Sequence, residues 1–204
     1  MNSKAAAFPV LRWVAAAWMV VWLPAYVKVW GWHNLLHLCD AAVILTFAGL
    51  WVGSARLISS QAVSALAAGV LWAANIASRL VTGKFFASGT EYMFDARFPL
   101  WVRLLSLFHV ALPCAQIWGL WKLGYDRRAL RLQAGIAAVL IAAGRFLPAQ
   151  LNMNWAYRDP LFGRAWGPGV VHLAVIWLGA VGLLYWPTHW VLARVFRPKD
   201  GVRG

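Results

Sequence analysis

Acidic residues are nearly missing from this chain: 204 residues carry only 6 Asp and Glu, against 19 Lys and Arg. Charge of either sign is scarce as well, at 12%. A soluble domain of this length keeps roughly 25% charged residues on its surface, so that class is excluded. Cysteine is scarce too. The 2 residues, Cys39 and Cys114, both fall inside apolar runs, which excludes the disulfide framework of small exported domains. Cys114, beside Pro113, reads as a packing residue, because a thiol in apolar surroundings is inert. There is no internal repeat, no low-complexity tract and no polar stretch long enough for a soluble domain, so residues 1–204 form a single integral membrane domain.

What is present agrees with this. Hydrophobic residues make up 62% of the chain and the mean hydropathy is +0.64. The net charge of +13 raises nucleic acid as a partner, but the basic residues sit singly or in small groups at the ends of apolar runs. They read as topology signals and contacts for anionic lipid headgroups, which excludes nucleic acid. Several of the 15 tryptophans flank the same runs (Trp13, Trp30, Trp32, Trp101, Trp121, Trp186, Trp190), where an indole ring meets both hydrocarbon and water.

Crossing the hydrocarbon core by helix takes about 20 apolar residues. Six candidate spans satisfy or approach that length: Val10–Trp30, Leu35–Val52, Ile58–Leu80, Trp101–Leu123, Leu130–Leu147 and Val170–Leu192. The fold expected is therefore all-α, a polytopic six-transmembrane-helix bundle, since lipid offers no partner to an unpaired backbone group. "AAAFPV" near the start resembles a signal peptide, but the apolar run after it has the length of a span. Six spans put both termini on one side. With the termini inside, that side carries Lys4, Arg12, Arg56, Lys122, Arg127, Arg128, Arg131, Arg194, Arg197, Lys199 and Arg203. The other side carries Lys28, Arg79, Lys84, Arg97, Arg103, Arg145, Arg158 and Arg164. The longer first list favours cytoplasmic termini in an inner membrane.

Costly polar residues gather on the other side. In the first, third and fifth connections, or in adjoining helix ends, lie His33, His37, Asp40, Asn75, Arg79, Glu91, Asp95, His109, Arg145, Asn152, Asn154, Asp159 and His172. At about 1.5 Å per residue, His109 lies roughly 12 Å and Asp40 roughly 8 Å below their helix starts. A shared cavity requires such comparable depth. On a continuous helix, His33, His37 and Asp40 in "GWHNLLHLCD" fall within an arc of about 60°, while Cys39 points about 200° from His37.

Three readings of that constellation stand side by side. His33, His37 and Asp40 with His109 or His172 supply the N and O ligands that zinc accepts. Alternatively, Asp40 orients His37 or His109 as general base toward Cys39, water or a lipid hydroxyl, for hydrolysis or acyl transfer. In the third reading these groups bond neighbouring helices and fix packing. Asn75, Arg79, Asn152, Asn154 and His172 are candidate substrate-binding residues; Arg79 also reads as a side chain snorkelling to the headgroups. His189, behind Pro187 on the opposite face, reads as interfacial. The expected partner is membrane lipid. A non-enzymatic module, either an assembly partner of an envelope complex or a small-molecule or metal-ion carrier, is the alternative.

The segment "LLHLCD" with His37, Cys39 and Asp40, "SLFHVALP" with His109, and "LNMNWAY…WGPG" with Asn152, Asn154, Trp166, Gly167 and Pro168 resemble the YwaF-like family of small bacterial integral membrane proteins. Related eukaryotic membrane proteins are acyltransferases and lipid-ester hydrolases that pair an intramembrane nucleophile with a histidine on another helix. The resemblance implies Cys39 or a nearby group as nucleophile and His109 as base. The chain departs from the pattern in adding His33 and in carrying a leucine where the family usually has the proline before His37.

Overall fold

Only a helix lets a long apolar run pair its own backbone groups away from water, and the apolar runs fold accordingly. The computed structural model describes residues 7–196, and no strand occurs among them. Lys4, Arg197, Lys199 and Arg203, which entered the charge comparison, lie outside the described residues. The helices are α1 (Leu11–Trp30), α2 (Leu38–Val52), α3 (Ala55–Thr82), α4 (Leu100–Leu105), α5 (Phe108–Leu123), α6 (Ala129–Gly144), α7 (Gly169–Gly179) and α8 (Trp186–Val195). A π-helical stretch, Ala180–Tyr185, joins the last two into one rod.

Four segments are long and apolar enough to cross a membrane: Leu11–Trp30, Ala55–Thr82, Leu100–Leu123 and Gly169–Val195. The expected second and fifth spans are shorter. Helix α2 has 15 residues, because Trp32–Leu36 winds as a 3-10 helix and His37 is extended (φ −60°, ψ 138°). Helix α6 has 16 residues and ends at Gly144, where a Cβ would stand 2.6 Å from the Met153 carbonyl oxygen. The fourth span bends at Ser106–Leu107.

Helix α3 is the axis of the bundle. Some 56% of its apolar window is buried, against 11–22% for the other three long segments, and it packs on α2, α5, α6 and α8. Its buried face is made of small residues, Ser59, Ser60, Ala62, Ser64, Ala65 and Gly69, which let neighbouring backbones come close. At Gly69 the approach is limiting: a Cβ would lie 2.5 Å from the carbonyl oxygen of His109 on α5. That carbonyl has no helical partner, since the residue four positions on is Pro113, which has no N–H. Buried amides add cross-links: Gln61 donates to Gln133 at 3.3 Å and Gln116 donates to Thr46 at 3.0 Å.

Successive long helices run up and down, so alternate connections meet. On one face the Leu36–Leu38 backbone meets Asn154, Ser88 bonds the Pro160 carbonyl, and Trp30 stacks on Phe98. On the other, Asp126 takes ion pairs from Arg56 (3.4 Å) and Arg128 (3.0 Å), its own N–H donates to Ser59 Oγ, and Tyr125 bonds His189, where the sequence had put it. Of the seven flanking tryptophans, six are exposed, while Trp30 is tucked against Phe98 and Tyr92. Cys114 is exposed on the outer surface of α5, which corrects its reading as a packing residue. Pro113 and Gly69 hold the opposite side of that helix turn against α3.

Two outcomes follow from these contacts. Gly69→Ala forces α3 and α5 apart and costs roughly 1–3 kcal/mol, read as a lower melting temperature in detergent. Burial opposes the charge of Asp126, but bonds from Arg128 and then Arg56 hold its carboxyl below the ordinary value. Its contribution is therefore complete above about pH 4 and lost as pH falls through the lower folded value. Asp126→Asn should lower the melting temperature at pH 7 and converge with wild type in strong acid; a constant gap across that range contradicts the assignment.

Candidate functional site

The break before α2 decides the geometry of the polar residues. Asn154 (4% exposed, φ +51°) sits in the fifth connection, and its Oδ1 accepts from the Leu38 N–H at 2.9 Å. Its Nδ2 donates to the Leu36 carbonyl at 2.8 Å and to the Leu140 carbonyl at 3.2 Å. One side-chain amide thus satisfies the backbone on both sides of His37 and ties it to α6. The continuous helix assumed for His33, His37 and Asp40 does not exist. His33 lies on the 3-10 helix, His37 is extended, and only Cys39 and Asp40 are helical. The common arc of these three residues, and the 200° separation of His37 from Cys39, are both overturned.

Asp40 is 2% exposed. Its Oδ2 accepts from Asn34 Nδ2 at 2.6 Å, and the Cys39 thiol approaches Oδ1 at 3.8 Å. Thiol and carboxylate are therefore adjacent, which the helical arc did not foresee. His109 Nδ1–H donates to the Ser106 carbonyl at 2.8 Å, and its ring lies parallel to Trp72 (4.7 Å, 4°) and Phe108 (4.1 Å, 22°). That bond fixes the tautomer and turns Nε2 into an acceptor. Around this ring the chain places groups that the sequence reading missed. Tyr26 and Ser106 hydroxyls share a 2.6 Å hydrogen bond, and Trp72 Nε1 donates to the Tyr92 hydroxyl at 3.2 Å. Tyr92, which burial pushes above its ordinary value, lies within electrostatic reach of Cys39 and Asp40, as Tyr26 does. His37 and His109 interact in the same way. Tyr26, in an apolar run, carries no signal of its own, and Tyr92 lies on the 3-10 helix Glu91–Phe94 of the third connection, so only the packing of that connection with α1, α3 and α5 could reveal them.

The zinc reading fails on geometry. Among the described residues no three His, Cys, Asp or Glu side chains are gathered as metal ligands. His33, His37, Asp40 and His109 come from four pieces of backbone, a 3-10 helix, an extended residue, α2 and α5, with Asp40 turned to Asn34 and His109 locked to Ser106.

Besides Asn154, the other four proposed substrate-binding residues also make structural bonds. Asn75 donates to Ala87 O (2.8 Å) and Thr90 Oγ1 (2.7 Å) and accepts from the Phe86 and Ala87 N–H groups, so its amide is fully used in holding the third connection. Arg79 bonds the Gly83 carbonyl and lies over the Phe85 and Phe94 rings, capping α3. His172 is 1% exposed; Nδ1 accepts from the Trp166 N–H and Nε2 donates to the Trp155 carbonyl. Asn152 shapes its loop by accepting from the Tyr157 and Arg158 N–H groups and donating to the Arg158 carbonyl. Asp159 accepts three backbone N–H groups, which against the effect of burial hold it below its ordinary value. Asp95 is likewise held low, by the Arg97 guanidinium. Asn152 and His172 nevertheless border a cavity of about 620 Å³, together with Arg145, Gln150 and Arg158.

Fold and site together define an all-α chain whose apolar helices are compatible with a multi-pass membrane protein, with a polar and aromatic cluster near one face. No protein-family model, curated protein or solved structure matches the chain. Asn154→Ala should leave the Leu36, Leu38 and Leu140 backbone groups without their partner and cost roughly 3 kcal/mol. A melting temperature equal to wild type would remove Asn154 as the wedge.

Proposed function

We propose that this protein is a six-crossing inner-membrane protein with cytoplasmic termini that hydrolyses, or transfers the acyl group of, a membrane lipid or another amphiphile. In this reading the short helices α2 and α6 also cross, α2 with the help of the 3-10 helix Trp32–Leu36, whose last carbonyl Asn154 satisfies. The supporting observation is the state of His109: Nδ1 is spent on the Ser106 carbonyl, which leaves Nε2 as a proton acceptor, and Ser106 and Trp72, both in contact with this histidine, bond Tyr26 and Tyr92. In this reading His109 takes the proton of the attacking group as that group adds to the ester carbonyl, then returns it to the leaving alcohol. The Cys39 thiol is the attacking group in acyl transfer and water in hydrolysis. Asp40 positions the thiol, and the resemblance to the YwaF-like family points the same way.

A second reading has its own support. Most polar side chains of the cluster satisfy one another, including Asn34 with Asp40, Tyr26 with Ser106 and Trp72 with Tyr92, as residues that only fix helix packing would. The protein would then be a non-enzymatic assembly partner of an envelope complex.

Purified protein incubated with phospholipids and lipid esters separates the two. Wild type should release fatty acid, while His109→Ala and Asp40→Asn, each checked for an unchanged melting temperature, lose about 100-fold or more. Equal rates in all three proteins would end the catalytic reading.

A further inference from the structure

The cavity between the end of α6 and the start of α7 has a composition unlike the rest of the molecule. Its charged lining groups are two arginines, Arg145 and Arg158, and no acidic residue borders it. The described carboxylates that could answer them are committed elsewhere. Asp159, next in the chain to Arg158, is held by the N–H groups of Leu161, Phe162 and Arg164. Asp95 is paired with Arg97, Asp40 is bonded to Asn34, Glu91 accepts from the Gly89 N–H, and Asp126 lies at the opposite face. The ion pairs among the described residues involve Arg56, Arg97 and Arg128, and neither Arg145 nor Arg158.

Arg145 is also held in place. Its guanidinium lies 4.1 Å from the centroid of the Tyr157 ring, and the Tyr157 hydroxyl donates to the carbonyls of Arg145 and Leu147, both at 2.8 Å. It also packs against Gly169, where a Cβ would come within 3.0 Å of its terminal nitrogen. A planar guanidinium lying over an aromatic ring is suited to bidentate capture of a phosphate. His172 also borders the cavity, with both ring nitrogens already bonded to backbone groups. Gln150 and Asn152 complete the polar lining.

The cavity opens between the end of α6 and the start of α7, which in the proposed six-crossing arrangement, on which this inference rests, is the level of lipid headgroups. The residues next to its lining are apolar and strongly exposed: Phe146 at 89% and Val170 at 82%, with Leu161 and Phe162 further along the same connection. A free anion has no use for such a rim, whereas a molecule carrying a phosphate above and acyl chains below matches both parts. We propose that the Arg145–Arg158 cavity is a binding site for the phosphate of an anionic phospholipid headgroup. It is distinct from the His109 cluster and stands whether or not that cluster is catalytic.

The test is native mass spectrometry of the full chain in neutral detergent, titrated with phosphatidylglycerol, phosphatidylcholine or inorganic phosphate. Phosphatidylglycerol should bind wild type at least tenfold more tightly than phosphatidylcholine. The Arg145→Gln/Arg158→Gln double variant should lose most of that preference, while Lys122→Gln, a change at an exposed lysine in the last turn of α5, keeps it. Raising the salt should weaken phosphatidylglycerol binding to wild type, a readout that does not depend on how any variant folds. Equal binding of the two lipids, an unchanged preference in the double variant, or no salt dependence would overturn the proposal. Inorganic phosphate displacing phosphatidylglycerol at equal concentration would do the same, since the acyl chains would then contribute nothing.

Discussion

The contact between Gly69 and the carbonyl of His109 governs the half of the bundle that holds the polar cluster. Pro113 leaves that carbonyl without its helical N–H, and the missing side chain at residue 69 lets α3 close over it. Two turns of helix are thereby brought nearly backbone to backbone. Trp72, one turn further along α3, consequently lies flat on the His109 ring at 4.7 Å. The imidazole is oriented by this stacking and by its bond to Ser106, and Ser106 in turn binds Tyr26 from α1. Three helices are thus registered to one another through a single close approach, in surroundings where apolar attraction between helices is weak.

A second principle operates at the loops: asparagine substitutes for backbone. Asn154 supplies an acceptor and a donor to the chain where the 3-10 helix gives way to α2. Asn75 does the same for residues 86–90, and Asn152 for residues 157–158. Each occupies a place where an irregular segment passes near the apolar bundle and an unpaired group would cost several kcal/mol. Asn152 and Asn154 also adopt positive φ, a region that asparagine tolerates better than most residues. Conformation and hydrogen bonding therefore select the same residue type.

Beyond those loop asparagines, two polar groups stand out. His109, Cys39 and Asp40, with the two tyrosines, lie inside the bundle. The arginine-lined cavity lies at its edge, between α6 and α7. The two differ in chemistry: one holds proton acceptors and a thiol in apolar surroundings, and the other holds uncompensated positive charge beside exposed hydrocarbon-like side chains.

Apolar run length, the position of tryptophan and the scarcity of acids were enough to establish an all-helical chain with apolar segments of membrane length, because each reports directly on the solvent around a helix. The joining of the first, third and fifth connections on one face was legible for the same reason: alternation follows from counting. Side-chain direction was not legible. The arc drawn through His33, His37 and Asp40 assumed one helix, and Asn154, more than 100 positions away in the chain, ends that helix by binding its backbone. Asn75 and His172 read as ligand-binding because a polar residue in an apolar run looks unused until its partners are known. Composition and periodicity are local properties and determine which segments are helical. Which polar atoms remain unsatisfied depends on contacts between distant segments, and only the tertiary structure decides that.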